Sequence, residues 1–327
     1  WTPSRSRSSN RRNLISMARP ALSPALSLAP ELIARVRQME LYTHRLVSTA
    51  LAGGWRSTFR GQGVEFEEVR PYQPGDDVRS IDWNVTARTG EPFVKAFREE
   101  RELCLQLVVD TSMSMDFGTG RWSKREAAAQ LSALFATVCV RSQDRVGLTL
   151  FGPDGLHHLK AGKSSTHVQR LIRDVFAAPV TPPGTPMSSI LEGLERAVNR
   201  RSMIIFCSDF AGLEDRDPDV VDRFARLSAR HDVIALFVHD PFERILPEVG
   251  ILELQDPLRG RRLSVDGRNE EVREAWSSAF EERRQVVRSV FARTGVDCVE
   301  VDTGGDLVDP VLEFFRRRRM ERGGRKR

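Results

Sequence analysis

From residue 103 onward the chain alternates near-continuous apolar runs of strand length with longer segments of helical period. Residues 103–109, 203–207 and 233–238 carry almost no polar alternation. Such runs are expected of strands in a sheet covered on both faces. Helical patterns fall at 123–141, with Ala127, Leu131, Leu134, Phe135 and Val138 on one side, and at 165–177, 187–199, 218–230, 269–294 and 306–315. Ser164 or Ser165 caps the second, Pro218 suits the first turn of the fourth, and Gly295 stops the fifth. Residues 146–151 and 156–160 read as a strand pair around Pro153-Asp154-Gly155. Residues 245–265 have strand character with a turn at 257–261, and 296–301 is the last strand. The predicted fold class is α/β, a doubly wound, mostly parallel sheet. In that architecture ligands bind beyond the carboxyl ends of the strands.

Ahead of the sheet, residues 31–52 show a helical pattern, with Leu32, Val36, Met39 and Leu46 on one face and Gly53-Gly54 as the stop. Residues 55–102 are dense in Gly and Pro, and β-like pieces are expected at 64–69, 78–87 and 92–98. Four regions follow: a leader at 1–30, a helix with a small N-terminal β-rich extension at 31–102, the alternating domain at 103–315, and a basic tail at 316–327. Trp1 is not an initiator. Met17 is the expected start, and the Arg- and Ser-rich leader is set aside from the fold.

The net charge of +5 is unevenly spread. The leader carries +5 (Arg5, Arg7, Arg11, Arg12, Arg19) and the tail +7, which leaves the body between them at −7. The basic ends are read as solvated segments able to touch anionic partners. At 327 residues and 40% apolar composition the chain can bury a sizeable core. No apolar run approaches the roughly 18–20 residues of a membrane span. Cys104, Cys139, Cys207 and Cys298 lie in apolar runs without a CxxC pair. They are read as small buried hydrophobes in a reducing compartment, and the expected location is the cytoplasm.

The chemistry-bearing residues cluster where the fold class directs attention. Asp110-Thr111-Ser112-Met113-Ser114 follows the first buried strand as a DxSxS pattern. Hydroxyls two apart on a turning loop can face one centre, and a hard divalent cation takes oxygen ligands. A Ser/Asp loop of this kind is also a common helix cap. Gly184-Thr185 in a Pro-rich loop and Asp209 in Cys207-Ser208-Asp209 lie on the same predicted edge. Asp116 reads as a cap or solvated residue, and Asp154 and Asp215 as turn residues.

This set resembles the metal-ion-dependent adhesion site (MIDAS) of von Willebrand factor A domains, over about residues 103–315. The resemblance implies that Ser112 and Ser114 bind the metal directly, Thr185 directly or through water, and Asp110 and Asp209 mainly through water. It also implies an open coordination position for an acidic side chain of a partner. The implied cofactor is a divalent cation, Mg²⁺ first, with Mn²⁺ and Ca²⁺ as alternatives.

A second resemblance rests on residues 70–83, where Arg70, Tyr72, Gly75, Asp76, Asp77, Arg79, Asp82 and Trp83 stand in order, continuing to Ala87-Arg88 and Phe97-Arg98-Glu99-Glu100-Arg101. It is similar to the signature of the bacterial family known as domain of unknown function 58, which joins this segment to a von Willebrand A-like domain. The resemblance implies a shorter form without the two membrane helices of many members. It also implies a MoxR-type AAA+ ATPase as partner and a chaperone-like or adaptor role. The mixed charges and aromatics of the segment suit a structural network in which ion pairs and Trp83 lock a β-layer onto the sheet. They also suit a docking surface.

No phosphate-binding GxxxxGK[ST] and no HExxH occur, and Gly162-Lys163-Ser164 lacks the earlier Gly. His157 and His158 are adjacent, so a strand points them to opposite faces. A Ser208 triad would need His231 or His239 nearby. The expected function is therefore a non-enzymatic, metal-dependent protein-binding module. The alternatives are a metal-dependent hydrolase using the same site and nucleic-acid binding through the Arg tail.

Overall fold

The computed structural model describes residues 64–74, 76, 78–99, 103–152, 155–178, 186–213, 217–256 and 261–324. Thr185 and Gly75, like the helical pattern at 31–52, lie outside them. Strands β1 (Val64–Pro71) and β2 (Phe93–Glu99) pair antiparallel, close to the expected pieces. The third expected piece, 78–87, is not a strand. Val78–Ser80 is a 3-10 turn, and α1 spans Trp83–Thr89. The cause is local. The Asp82 carboxylate accepts the N–H groups of Asn84 and Val85, and Gly90 closes the helix at φ 78°. An Asp cap and a left-handed Gly outweigh the β-branched residues between them.

The main sheet has six strands: β3 (Cys104–Asp110), β4 (Arg145–Gly152), β5 (Gly155–Gly162), β6 (Met203–Ser208), β7 (Asp232–His239) and β10 (Asp297–Asp302). Their spatial order is β10-β7-β6-β3-β4-β5, parallel except for β5 against β4. From β3 the chain winds outward through β4 and β5, then returns to the other side of β3 with β6. The topological switch therefore lies between β3 and β6.

Both faces are covered, as the apolar runs require. Leu105, Leu107 and Val109 of β3 face α2 (Lys124–Arg141), α3 (Ser165–Ala177) and α8 (Asp309–Gly324). Val108 of β3 with Ile204 and Phe206 of β6 face α4 (Met187–Ala197), α5 (Pro218–Arg230) and α7 (Glu270–Thr294). A one-turn helix, α6 (Pro241–Arg244), follows β7. A hairpin of β8 (Ile251–Gln255) and β9 (Arg262–Asp266) then rests on Val272 and Trp276 of α7. Among the described residues no helix is long and apolar enough to cross a membrane.

The basic tail is not wholly a solvated end. Helix α8 continues to Gly324, past the expected stop at Phe315. Arg318 is buried, with its guanidinium bonded to Asp232 at the amino end of β7 and 3.5 Å from Asp297 of β10. Two acids at the amino edge of a parallel sheet need a cation, and the helix crossing that edge supplies it. Nearby His231 is buried and accepts the Ser202 N–H at Nδ1. Burial, with the charges of Arg230 and Arg201, pushes its pKa down to about 4.

Replacing Arg318 by Ala takes the guanidinium away from a buried carboxylate and is expected to cost about 3–5 kcal/mol in urea unfolding. The double replacement Arg318→Met with Asp232→Asn is expected to lose much less. Because the folded pKa of His231 lies below the ordinary 6.5, its contribution is complete above pH 6.5 and lost as pH falls toward 4. Unfolding at pH 7 and pH 4.5, beside His231→Gln, should show up to about 3 kcal/mol of acid loss absent from the variant.

Candidate functional site

Asp110 ends β3, and the parallel register sets it beside the end of β6, at the switch point. Its carboxylate is buried and accepts two hydrogen bonds, from the Ser112 N–H at 2.8 Å and from the Ser208 hydroxyl at 2.6 Å. The loop that follows is pinned at Thr111, whose N–H and hydroxyl both donate to the Phe151 carbonyl. It then folds into a 3-10 turn over Met113–Asp116. The result brings the hydroxyls of Ser112 and Ser114 to 3.0 Å from each other. Burial, and then the charge of Asp209, push the Asp110 carboxyl up to about 6.

Asp209 follows β6 and is fully buried. One oxygen accepts the Ala211 N–H at 2.9 Å and the other the Lys124 ammonium at 2.6 Å. Burial alone would raise its pKa, but the Lys124 charge and hydrogen bond more than offset this and hold it low. The next residue, Phe210, has φ 49°, a left-handed backbone that a bulky residue seldom adopts. Its buried ring packs against Phe206 at 5.5 Å and Phe291 at 4.9 Å. That packing holds the strained turn which aims Asp209.

Lys124 is the residue that sequence reasoning missed. It is 1% exposed, at the first position of α2, and its ammonium also lies 2.7 Å from Glu243 of α6. Arg283 of α7 stands 3.5 Å from the same carboxylate. One signal was available: a lysine just after the Ser123 cap opposes the helix dipole, so it needs a carboxylate partner to justify the position. Glu243 carried no such signal, being 119 residues away in a short capping box.

Of the five expected metal residues, Asp110, Ser112 and Ser114 are brought together, Asp209 is present at the same edge in an ion pair, and Thr185 lies outside the described residues. Three hard oxygen donors of low total charge converge at Asp110, Ser112 and Ser114, which fits a divalent cation. Asp116 instead pairs with Arg125 at 2.7 Å. A Ser208 triad is not assembled. Its hydroxyl donates to Asp110 and accepts the Phe210 N–H, and His231 lies at the opposite end of the sheet. Cys139 and Cys207 are buried, with Cys207 pushed up to about 12 by burial; Cys104 and Cys298 are half-buried.

In the signature segment Arg70 holds Asp76 by two hydrogen bonds of 2.8 and 2.7 Å. Asp82 caps α1, Tyr72 is half-buried and Arg88 is exposed; the Arg79 side chain is not among those described. Trp83 does not lock the layer in place, being 68% exposed.

The family described as Protein of unknown function DUF58 matches residues 68–286. The chain belongs to this family. The uncharacterized protein Rv1480 of Mycobacterium tuberculosis is 32% identical over 294 residues, covering 89% of this chain and 90% of that protein. A Mycobacterium bovis relative, Mb1516, matches equally. Among solved structures, the conserved hypothetical protein BatB of Bacteroides thetaiotaomicron aligns with 68% of this chain and 99% of its own, at 16% identity and TM-score 0.43. The SpRpn10 VWA domain aligns with 64% of this chain and 94% of its own, at 9% identity and TM-score 0.36. The fold assignment rests on strand order and register.

Truncation of Phe210 to Ala is expected to cost about 3–5 kcal/mol in denaturant unfolding, the range for an aromatic lost from a core. Phe210→Leu, which keeps an apolar anchor on the turn, is expected to lose clearly less.

Proposed function

We propose that this DUF58 chain is a protein-binding module whose partner docks at the carboxyl edge of the sheet, over a divalent cation held by Asp110, Ser112 and Ser114. The observation that carries the reading is the convergence of two serine hydroxyls beside a buried carboxylate at the switch between β3 and β6. Bound there, the cation would supply an electrophilic centre for an acidic side chain of the partner. The protein's part is to orient. Thr111 and Arg125 fix the loop, the latter donating to the Thr111 carbonyl at 3.1 Å, and Ser208 fixes Asp110. With one carboxylate and two hydroxyls, little of the ion's charge is quenched by the protein.

Mg²⁺ suits this oxygen set, and the acidic client needs only one carboxylate to join it. A MoxR-type AAA+ ATPase is the partner that the family resemblance directs us to test first, with the chain acting as its adaptor. The exposed Trp83 and Arg88 of the signature segment are the second surface to test against that ATPase. A hydrolase reading has less support, because the serine beside Asp110 is committed to hydrogen bonds and no histidine base is bonded to it among the described residues.

Calorimetric titration of Mg²⁺ and Mn²⁺ into the metal-free chain is expected to show one saturable site, weakened at least tenfold in Ser112→Ala. Capture of the ATPase is expected in Mg²⁺ and lost in EDTA. Capture that is equal in both, with a folded Ser112→Ala variant still competent, would remove the metal from the reading.

A further inference from the structure

The site contains a cation of its own. Lys124 reaches from the start of α2 into the carboxyl edge of the sheet, where water is excluded from it almost entirely. Its ammonium contacts Asp209 at 2.6 Å and Glu243 at 2.7 Å, and Arg283 closes the cluster from α7. Two cations therefore face two carboxylates, and the cluster is internally neutral. Asp110 belongs to no such pair, and Arg125, bonded to Asp116, acts on it only at longer range. The hydrogen bonds of Asp110 come from neutral donors, the Ser208 hydroxyl and the Ser112 N–H. Asp209 directly follows Ser208, whose hydroxyl bonds the Asp110 carboxylate at 2.6 Å, and the two acids end adjacent strands, so whatever occupies Asp209 also bears on an ion held at Asp110.

We infer that Lys124 is a tethered counter-cation that competes with the divalent ion for Asp209 and so sets how weakly the site holds metal before a partner arrives. The inference rests on the metal reading above but concerns a different residue. An ammonium within a buried ion pair repels a dication at the same strand edge, and low-dielectric surroundings strengthen that repulsion. The free site thus offers a dication essentially the charge of Asp110 alone. A carboxylate from the partner supplies the missing negative charge, which couples metal retention to partner docking. Lys124 is here a positioning and affinity-setting residue, and it touches neither partner nor metal.

The competition predicts a gain of function. Lys124→Met leaves Asp209 buried with only the Ala211 N–H and the more distant charge of Arg283, one cation against two carboxylates, a costly state that a divalent ion can relieve. Mn²⁺ is the probe, titrated calorimetrically into the full chain. Lys124→Met is expected to bind Mn²⁺ at least tenfold more tightly than the natural sequence. Adding Ser112→Ala to it should abolish the gain, and adding Asp209→Asn should return affinity to near the starting level. The thermal midpoint of Lys124→Met should rise with Mn²⁺ more than that of the Lys124→Met/Asp209→Asn pair.

Should Lys124→Met fail to fold without metal, purification in Mn²⁺ is expected to recover it. Failure to recover, with the Lys124→Met/Asp209→Asn variant folded, overturns the inference. So does a folded Lys124→Met that binds Mn²⁺ no more tightly than the natural chain, an outcome that leaves the proposed function standing. Tight binding by Lys124→Met with none in the natural chain also supports the inference, and the metal dependence of the proposed function is then decided by the capture in Mg²⁺ against EDTA.

Discussion

A parallel sheet covered by helices on both faces has almost nowhere to put a charged group except the ends of its strands. In this chain the strands β6 and β7 are buried over their whole length and β3 over all but Cys104, and helices cover both faces. Carboxylates therefore collect at the two edges of the sheet, where loops and helix ends can supply donors. Asp110, Asp209 and Asp240 stand at the carboxyl edge, and Asp232 and Asp297 at the amino edge. Each is expensive to desolvate unless it is bonded, and the local structure at each edge follows from how it is bonded. Asp240, for instance, takes hydrogen bonds from Thr119, Phe242 and Thr303 and ties three segments together.

The same constraint explains which parts of the fold were legible in the sequence. Fully buried strands leave an uninterrupted apolar run, so β3, β6 and β7 were evident, and Gly295 and Pro218 marked real helix boundaries. The DxSxS loop was legible because its chemistry is consecutive. Asp110, Ser112 and Ser114 need only a strand end and one turn to converge. Lys124 and Glu243 were not legible in the same way. They are 119 residues apart, and nothing in either neighbourhood indicates that Lys124 joins Glu243 to a third residue, Asp209.

The errors in reading residues 64–102 have a related origin. The segment 78–87 has β-branched and aromatic residues, but propensity in so short a stretch is weak beside a well-placed cap. Asp82 supplies the cap, and the segment turns helical. Trp83 was read, with the ion pairs of its segment, as locking a β-layer onto the sheet or else as part of a docking surface, and it stands exposed on a helix that buries none of its residues. At the other end, a run of arginines reads as solvated by default. Arg318 departs from that default because helical spacing puts it in line with Val311, Phe314 and Phe315 on the packed side of α8.

The two edges of the sheet use one device to different effect. At the amino edge, the last helix lays Arg318 against Asp232 and Asp297, so one guanidinium serves acids from two adjacent strands. At the carboxyl edge, the first covering helix lays Lys124 against Asp209 but not against Asp110 of the neighbouring strand. The Lys124 ammonium is spent on Asp209 and Glu243, and the neighbouring Arg125 on Asp116 and the Thr111 carbonyl, so the groups bonded to Asp110 are the Ser112 N–H and the Ser208 hydroxyl. Asp110 is thus the buried carboxylate of the switch point whose direct partners are neutral. The amino edge is electrically closed and serves stability. The carboxyl edge carries a salt-bridged acid on one strand and an acid bonded only to neutral donors on the next, and the proposed metal site rests on that asymmetry.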